Sequence, residues 1–145
     1  MAAKAGIGRL ARTFFDTNVL IYSDDAANSA KQARALDLIE VHRLSRTGVV
    51  SIQVLGEYLS VATRKLGLDP SFARSKVEVW ARFQVVAPKA EDVLAAIDLH
   101  RLNGISYWDA LIVRCAKEAG CSVLLSEDLQ HGQVIDGVRI VNPFL

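Results

Sequence analysis

Short β-rich apolar runs alternate along this chain with longer stretches whose apolar residues recur every three or four positions. Thr13–Asp16 (TFFD), Gly48–Ser51 (GVVS), Gln84–Ala87 (QVVA), Ser122–Leu125 (SVLL) and Arg139–Val141 read as strands. The 3.6-residue periodicity predicts helices over Ser29–Arg46, Ile52–Leu66, Ser71–Arg82, Ala90–Leu102 and Ser106–Ala119. Gly67–Pro70 and Asn103-Gly104 are the breaks between neighbouring helices, and Pro88 ends the third strand. Ala33, Leu36, Ile39 and Leu44 form the expected apolar side of the first helix. Trp108, Ile112, Cys115, Ala116 and Ala119 form the expected buried stripe of the last.

Strands of about four apolar residues joined by helices, not tight turns, imply a mainly parallel sheet covered on both faces. The expected fold is therefore an α/β/α three-layer sandwich with about five strands. With 145 residues the chain is expected to make one domain, residues 1–145, with 1–12 expected as a flexible N-terminal extension.

Composition changes this picture little. The chain is 51% hydrophobic and 23% charged, which excludes a disordered polymer. Its apolar runs are too short to span a membrane, and none has signal-peptide length, so a cytoplasmic protein is expected. Cys115 and Cys121 lack the spacing of a zinc or redox motif, and His42, His100 and His131 are scattered. The net charge is only +1, so any nucleic-acid contact must come from a local patch. Arg64, Lys65, Arg114 and Lys117 are the candidates, because phosphate contacts come mainly from Lys and Arg.

Ligands of open α/β sheets bind beyond the carboxyl ends of the strands, so acids placed there invite attention. Asp16 ends the first strand and Asp128 follows the fourth. Glu57 lies early in the second long helix, and Asp109 opens the last. Each has an ordinary role open to it: Asp16 as a cap, Ser106 with Asp109 as a capping box, Glu57 as a solvated residue, and Asp128 as part of a turn. Yet Glu57 and Asp109 fall at the borders of apolar helix faces, where an unpaired charge needs a partner. An all-oxygen set of Asp and Glu suits Mg²⁺ or Mn²⁺, not zinc.

The segments FFDTNVLIY, SIQVLGEYLSVATRKLG, ISYWDALIVRCAKEAG and VLLSEDLQHG resemble the PIN-domain ribonucleases, especially VapC-type toxins of bacterial toxin–antitoxin pairs. The resemblance runs from about Thr13 to the C-terminus, with the four acids in the family's order. It implies a Mg²⁺- or Mn²⁺-dependent endoribonuclease, commonly a homodimer, inhibited by a small antitoxin. Asp16, Glu57, Asp109 and Asp128 would be the catalytic and metal-holding residues, and Thr17, Asn18 and Ser126 their supports. Hydrolysis in the family leaves a 5′-phosphate and a 3′-hydroxyl. A catalytically silent PIN-like domain that binds RNA or protein is the alternative. A receiver-type phosphoacceptor would need a lysine at the end of a late strand, where this chain has Ser126-Glu127-Asp128. Docking of the antitoxin is expected in an apolar groove between the Ser29–Arg46 and Ile52–Leu66 helices, near Leu55 and Leu59.

Overall fold

Phe14 and Phe15 are fully buried, and the strand that carries them, β1 (Thr13–Phe15), lies inside the sheet. The computed structural model describes residues 10–145. Most of the expected N-terminal extension, residues 1–9, thus falls outside the described residues. Arg12 is already held, its guanidinium donating to the Ala119 carbonyl at 2.9 Å.

The other strands are β2 (Gly48–Ser51), β3 (Gln84–Val86), β4 (Val123–Leu125), β5 (Val134–Ile135) and β6 (Val138–Val141). They form one sheet in the order β3-β2-β1-β4-β6-β5. All neighbouring pairs are parallel except β5–β6. The sequence pattern anticipated this mainly parallel sheet but not β5. That strand exists because Asp136 and Gly137 take φ of 51° and 83°, the left-handed pair that a two-residue hairpin turn needs.

Among the described residues the helices are α1 (Thr17–Tyr22), α2 (Ser29–Ser45), α3 (Ile52–Arg64), α4 (Pro70–Trp80), α5 (Ala90–Asn103) and α6 (Tyr107–Glu118). Helix α1 packs on α2 and α3, α3 packs on α4, and α5 packs on α6. The chain steps in one direction from β1 to β3, then returns across the sheet to β4. Right-handed crossovers place α1–α4 on one face and α5–α6 on the other. The result is the expected three-layer sandwich.

Two helices depart from the pattern. Helix α1 is too short for a periodicity to reveal it, and starts where Asp16 caps the backbone N–H of Thr17. In α2 the buried residues are Ala35, Ile39 and His42, whereas Ala33, Leu36 and Leu44 are exposed. Packing turns this helix away from the side its leucines suggested. Helix α5 stops at Gly104, whose φ of 65° is the left-handed cap expected of Asn103-Gly104.

Candidate active site

The chain turns in opposite directions from β1 to β2 and from β3 to β4, so the carboxyl ends of adjacent β1 and β4 open onto a crevice. Asp16 follows β1, and Ser126 follows β4. A cleft of about 690 Å³ lies there. Asp16, Thr17, Asn18, Glu57, Asp109 and Asp128 all line it, contributed by elements far apart in sequence and by both helical layers.

Asp16 is the most constrained. One carboxylate oxygen caps α1 through the Thr17 N–H at 2.7 Å, and the other accepts from the Ser126 hydroxyl at 2.7 Å. The capping role and a site role therefore coexist in one side chain. Ser126 Oγ also accepts from the Asp128 N–H at 3.1 Å, which fixes the turn carrying that acid. The Asn18 amide donates to Asp128 at 3.1 Å and to Asp16 at 3.4 Å, while its carbonyl oxygen accepts from the Glu127 N–H at 3.2 Å. Thr17 Oγ1 donates to Glu57 at 2.8 Å. Thr17, Asn18 and Ser126 thus link three of the four acids. Asp109 comes from the first turn of α6, capped by Ser106 Oγ at 3.1 Å, and joins the group by proximity alone.

Electrostatics mark the group as incomplete. Burial, reinforced by the neighbouring Asp128 and Asp109 charges, pushes the Asp16 carboxyl up to about 7, although Ser126 and the Thr17 N–H stabilise its ionised form. Burial also raises Asp109, with Asp128 and Glu57 adding repulsion. Among the described residues no Lys or Arg ion-pairs with any of the four acids. Gln53 Oε1, buried and lining the same cleft, has no hydrogen-bond partner. An all-oxygen acceptor set lacking a counter-charge fits a hard divalent cation. Among the described residues, however, no three His, Cys, Asp or Glu side chains converge closely enough to hold an ion as they stand.

The candidate cations divide. Arg64 and Lys65 line the cleft. Arg114 and Lys117 do not: Arg114 is engaged with Asp92 at 2.8 Å and Glu118 at 3.5 Å, and Lys117 with Asp136 at 2.6 Å. Both thus stand outside the cleft. Trp108 corrects the expectation of burial. It belongs to no buried stripe but stands 61% exposed and lines the cleft.

Other residues went unread in the sequence. Tyr22 donates to Glu127 at 2.7 Å, and Lys31 pairs with the same carboxylate at 2.5 Å. Both reach the loop beside Asp128, which no periodicity signals. Asp24 is likewise held: it accepts from Tyr58 OH at 2.6 Å and pairs with Lys76 at 3.2 Å.

The PIN domain family model matches residues 13–135. No curated protein sequence registers as a match. Two solved structures are similar in fold. The sarcin–ricin-loop-cleaving toxin VapC20 of Mycobacterium tuberculosis shares 20% identity at a TM-score of 0.62, over 80% of this chain and 91% of its own. The VapBC2 structure of Rickettsia felis, bound to a DNA fragment from its promoter, shows 18% identity and a TM-score of 0.64, over 88% of this chain and 96% of that one.

Proposed function

The chain belongs to the PIN-domain family, and from that premise we propose that it is a divalent-metal-dependent endoribonuclease, the toxin of a toxin–antitoxin pair. The observation that carries this reading is that four acids line one cleft and none of them ion-pairs with a Lys or Arg among the described residues. Asp16 and Asp109 would hold the metal, with Glu57 and Asp128 completing its surroundings. Mg²⁺ or Mn²⁺ would supply positive charge against the phosphodiester and lower the pKa of water, so that the hydroxide nucleophile is available near neutral pH.

The chain's own residues do the positioning. Ser126 and the Thr17 N–H hold Asp16 in one orientation, which favours its ionised form. Thr17 Oγ1 aims Glu57, and Asn18 spans Asp16 and Asp128 so that the two carboxylates move together. Such supporting bonds orient ligands and tune their basicity. Arg64 and Lys65 offer the phosphate contacts that the acidic end of the cleft cannot.

The likeness to a VapBC structure supports a small antitoxin as partner. Helix α1 packs on both α2 and α3, and Leu55 of α3 is half-buried while Leu59 is exposed, so an apolar groove is expected between α2 and α3. This groove is the docking surface we assign to the antitoxin. A homodimer acting in the cytoplasm completes the proposal; no described helix is long and apolar enough to cross a membrane.

Purified protein and Asp16→Asn, each given total RNA with Mg²⁺, Mn²⁺ or EDTA, provide the test. Metal-dependent cleavage by the wild-type chain that is lost in the variant supports the reading. Absence of cleavage with either metal, on transfer and ribosomal RNA alike, overturns it in favour of a silent binding domain.

A further inference from the structure

The two tryptophans of this chain meet opposite fates. Trp80 is 1% exposed within the core, whereas Trp108 is 61% exposed. Trp108 adjoins Asp109 on the first turn of α6 and lines the acidic cleft. Its indole is braced: the Tyr107 ring meets it edge-on with centroids 5.0 Å apart, and Tyr107 is itself packed against the core. A braced, solvated aromatic face beside a phosphodiester site is suited to stacking a nucleobase.

The opposite wall adds a second feature. Glu57, Ser60, Val61 and Arg64 follow one face of α3, so Arg64 lies roughly 10 Å along the helix from Glu57. Arg64 donates to Ser60 Oγ at 3.2 Å. Among the described residues neither Arg64 nor Lys65 ion-pairs with a carboxylate. One cleft thus combines carboxylates, an aromatic face and two uncommitted cations.

We propose that Trp108 is a nucleobase platform: a base flanking the scissile phosphate stacks on its indole, while Arg64 and Lys65 take a neighbouring phosphate. Identifying the polymer as RNA rests on the nuclease reading above. Bases within a duplex already have both faces stacked, so this subsite selects an unpaired stretch of RNA.

Because Trp80 is buried, Trp108 emission reports the subsite directly. The probe is a mixed-sequence single-stranded RNA 12-mer, compared with its duplex, titrated into wild-type protein in EDTA. The single strand quenches Trp108 emission, and the duplex does so far less. In cleavage assays with metal, Trp108→Ala raises KM about 5- to 150-fold and changes kcat less. Trp108→Phe recovers most of that loss. Arg64→Ala and Lys65→Ala each lower the slope of log affinity against log salt by about 0.7.

Unmoved emission together with an unchanged KM in Trp108→Ala overturns the platform, even where the wild-type chain cleaves RNA and Asp16→Asn does not. Quenching by the single strand in a chain that never cleaves RNA supports the platform while the nuclease reading fails. A blue shift of Trp108 on concentrating the protein alone, with no response to RNA, assigns this face to contact between copies and overturns the proposal.

Discussion

Asp16 and Asp92 are almost equally shielded from solvent, 4% and 5% exposed, yet their environments push them in opposite directions. The Lys89 N–H donates to Asp92 at 2.8 Å and the Arg114 guanidinium at 2.8 Å, and together they hold its carboxyl below the usual range. Asp16 receives hydrogen bonds too, but no cation among the described residues pairs with it, and burial with two neighbouring acids pushes it up to about 7. Low exposure alone therefore does not separate a carboxylate paired within the chain from one left unpaired. Depth and counter-charge do: Asp92 lies near the surface with Arg114 of α6 beside it, whereas Asp16 lies deep at the β1–β4 crevice and ion-pairs with no Lys or Arg among the described residues.

Substituting each acid breaks the comparison in opposite senses. Asp16 has a folded-state value above its unfolded value of 3.8, so its contribution to stability is fully present below about pH 4 and lost as pH rises through about 7. Asp16→Asn abolishes cleavage, yet raises metal-free stability at pH 8 by at most about 4 kcal/mol and flattens the pH dependence between 4 and 7. Divalent metal stabilises the wild-type chain more at pH 8 than at pH 5, because its ligands must ionise. Asp92 contributes in the reverse window: its stability is present above pH 3.8 and lost as pH falls through its depressed folded value. Asp92→Asn costs about 1.5–3 kcal/mol at neutral pH and leaves RNA cleavage intact in the folded protein. Urea midpoints across pH, with and without Mg²⁺, measure both. Equal destabilisation by the two substitutions would remove the distinction.

The same contrast explains what could be read from the sequence. Asp16 and Asp128 were legible because an acid following an apolar strand run lies at the sheet's carboxyl edge whatever the tertiary details. Glu57 and Asp109 were legible from helical phase. Phase misplaced Trp108, since it gives the angle of a residue around its helix but not whether the rest of the fold covers that turn. It misjudged Leu36 and Leu44 for a related reason: apolar spacing does not say which side of α2 meets the core. Arg114 looked like a free surface cation until Asp92, 22 residues earlier, was seen beside it. The β5–β6 hairpin had a local signal, Asp136-Gly137, which strand length obscured.

A smaller effect tests the loop beside Asp128. Glu127 is held by Tyr22 and Lys31, and Lys31 also lies over the rings of Tyr22 and Phe144 at 4.7 and 5.6 Å. Tyr22→Phe keeps the ring against Phe144 and removes only the hydroxyl, and Lys31→Met keeps the stem and removes the charge. Each releases one restraint on the turn that positions Asp128, and lowers kcat/KM about tenfold. Stability changes by less than about 1 kcal/mol, since the Lys31–Glu127 pair is partly exposed. Rates unchanged in both variants would mean that Asn18 and Ser126 suffice to fix Asp128.

The smallest expected effect sharpens the division among the cations. Lys117 pairs with Asp136 across the surface, with side chains 46% and 29% exposed, and it stands outside the cleft that Lys65 lines. Lys117→Ala therefore costs at most about 1 kcal/mol of stability. It leaves the salt dependence of RNA binding where it was, whereas Lys65→Ala lowers that slope by about 0.7. Both substitutions remove one positive charge, so long-range attraction of RNA by net charge weakens them alike. A difference between their slopes isolates direct phosphate contact, and equal slopes would mean that the cleft's basic lip acts only through the overall field.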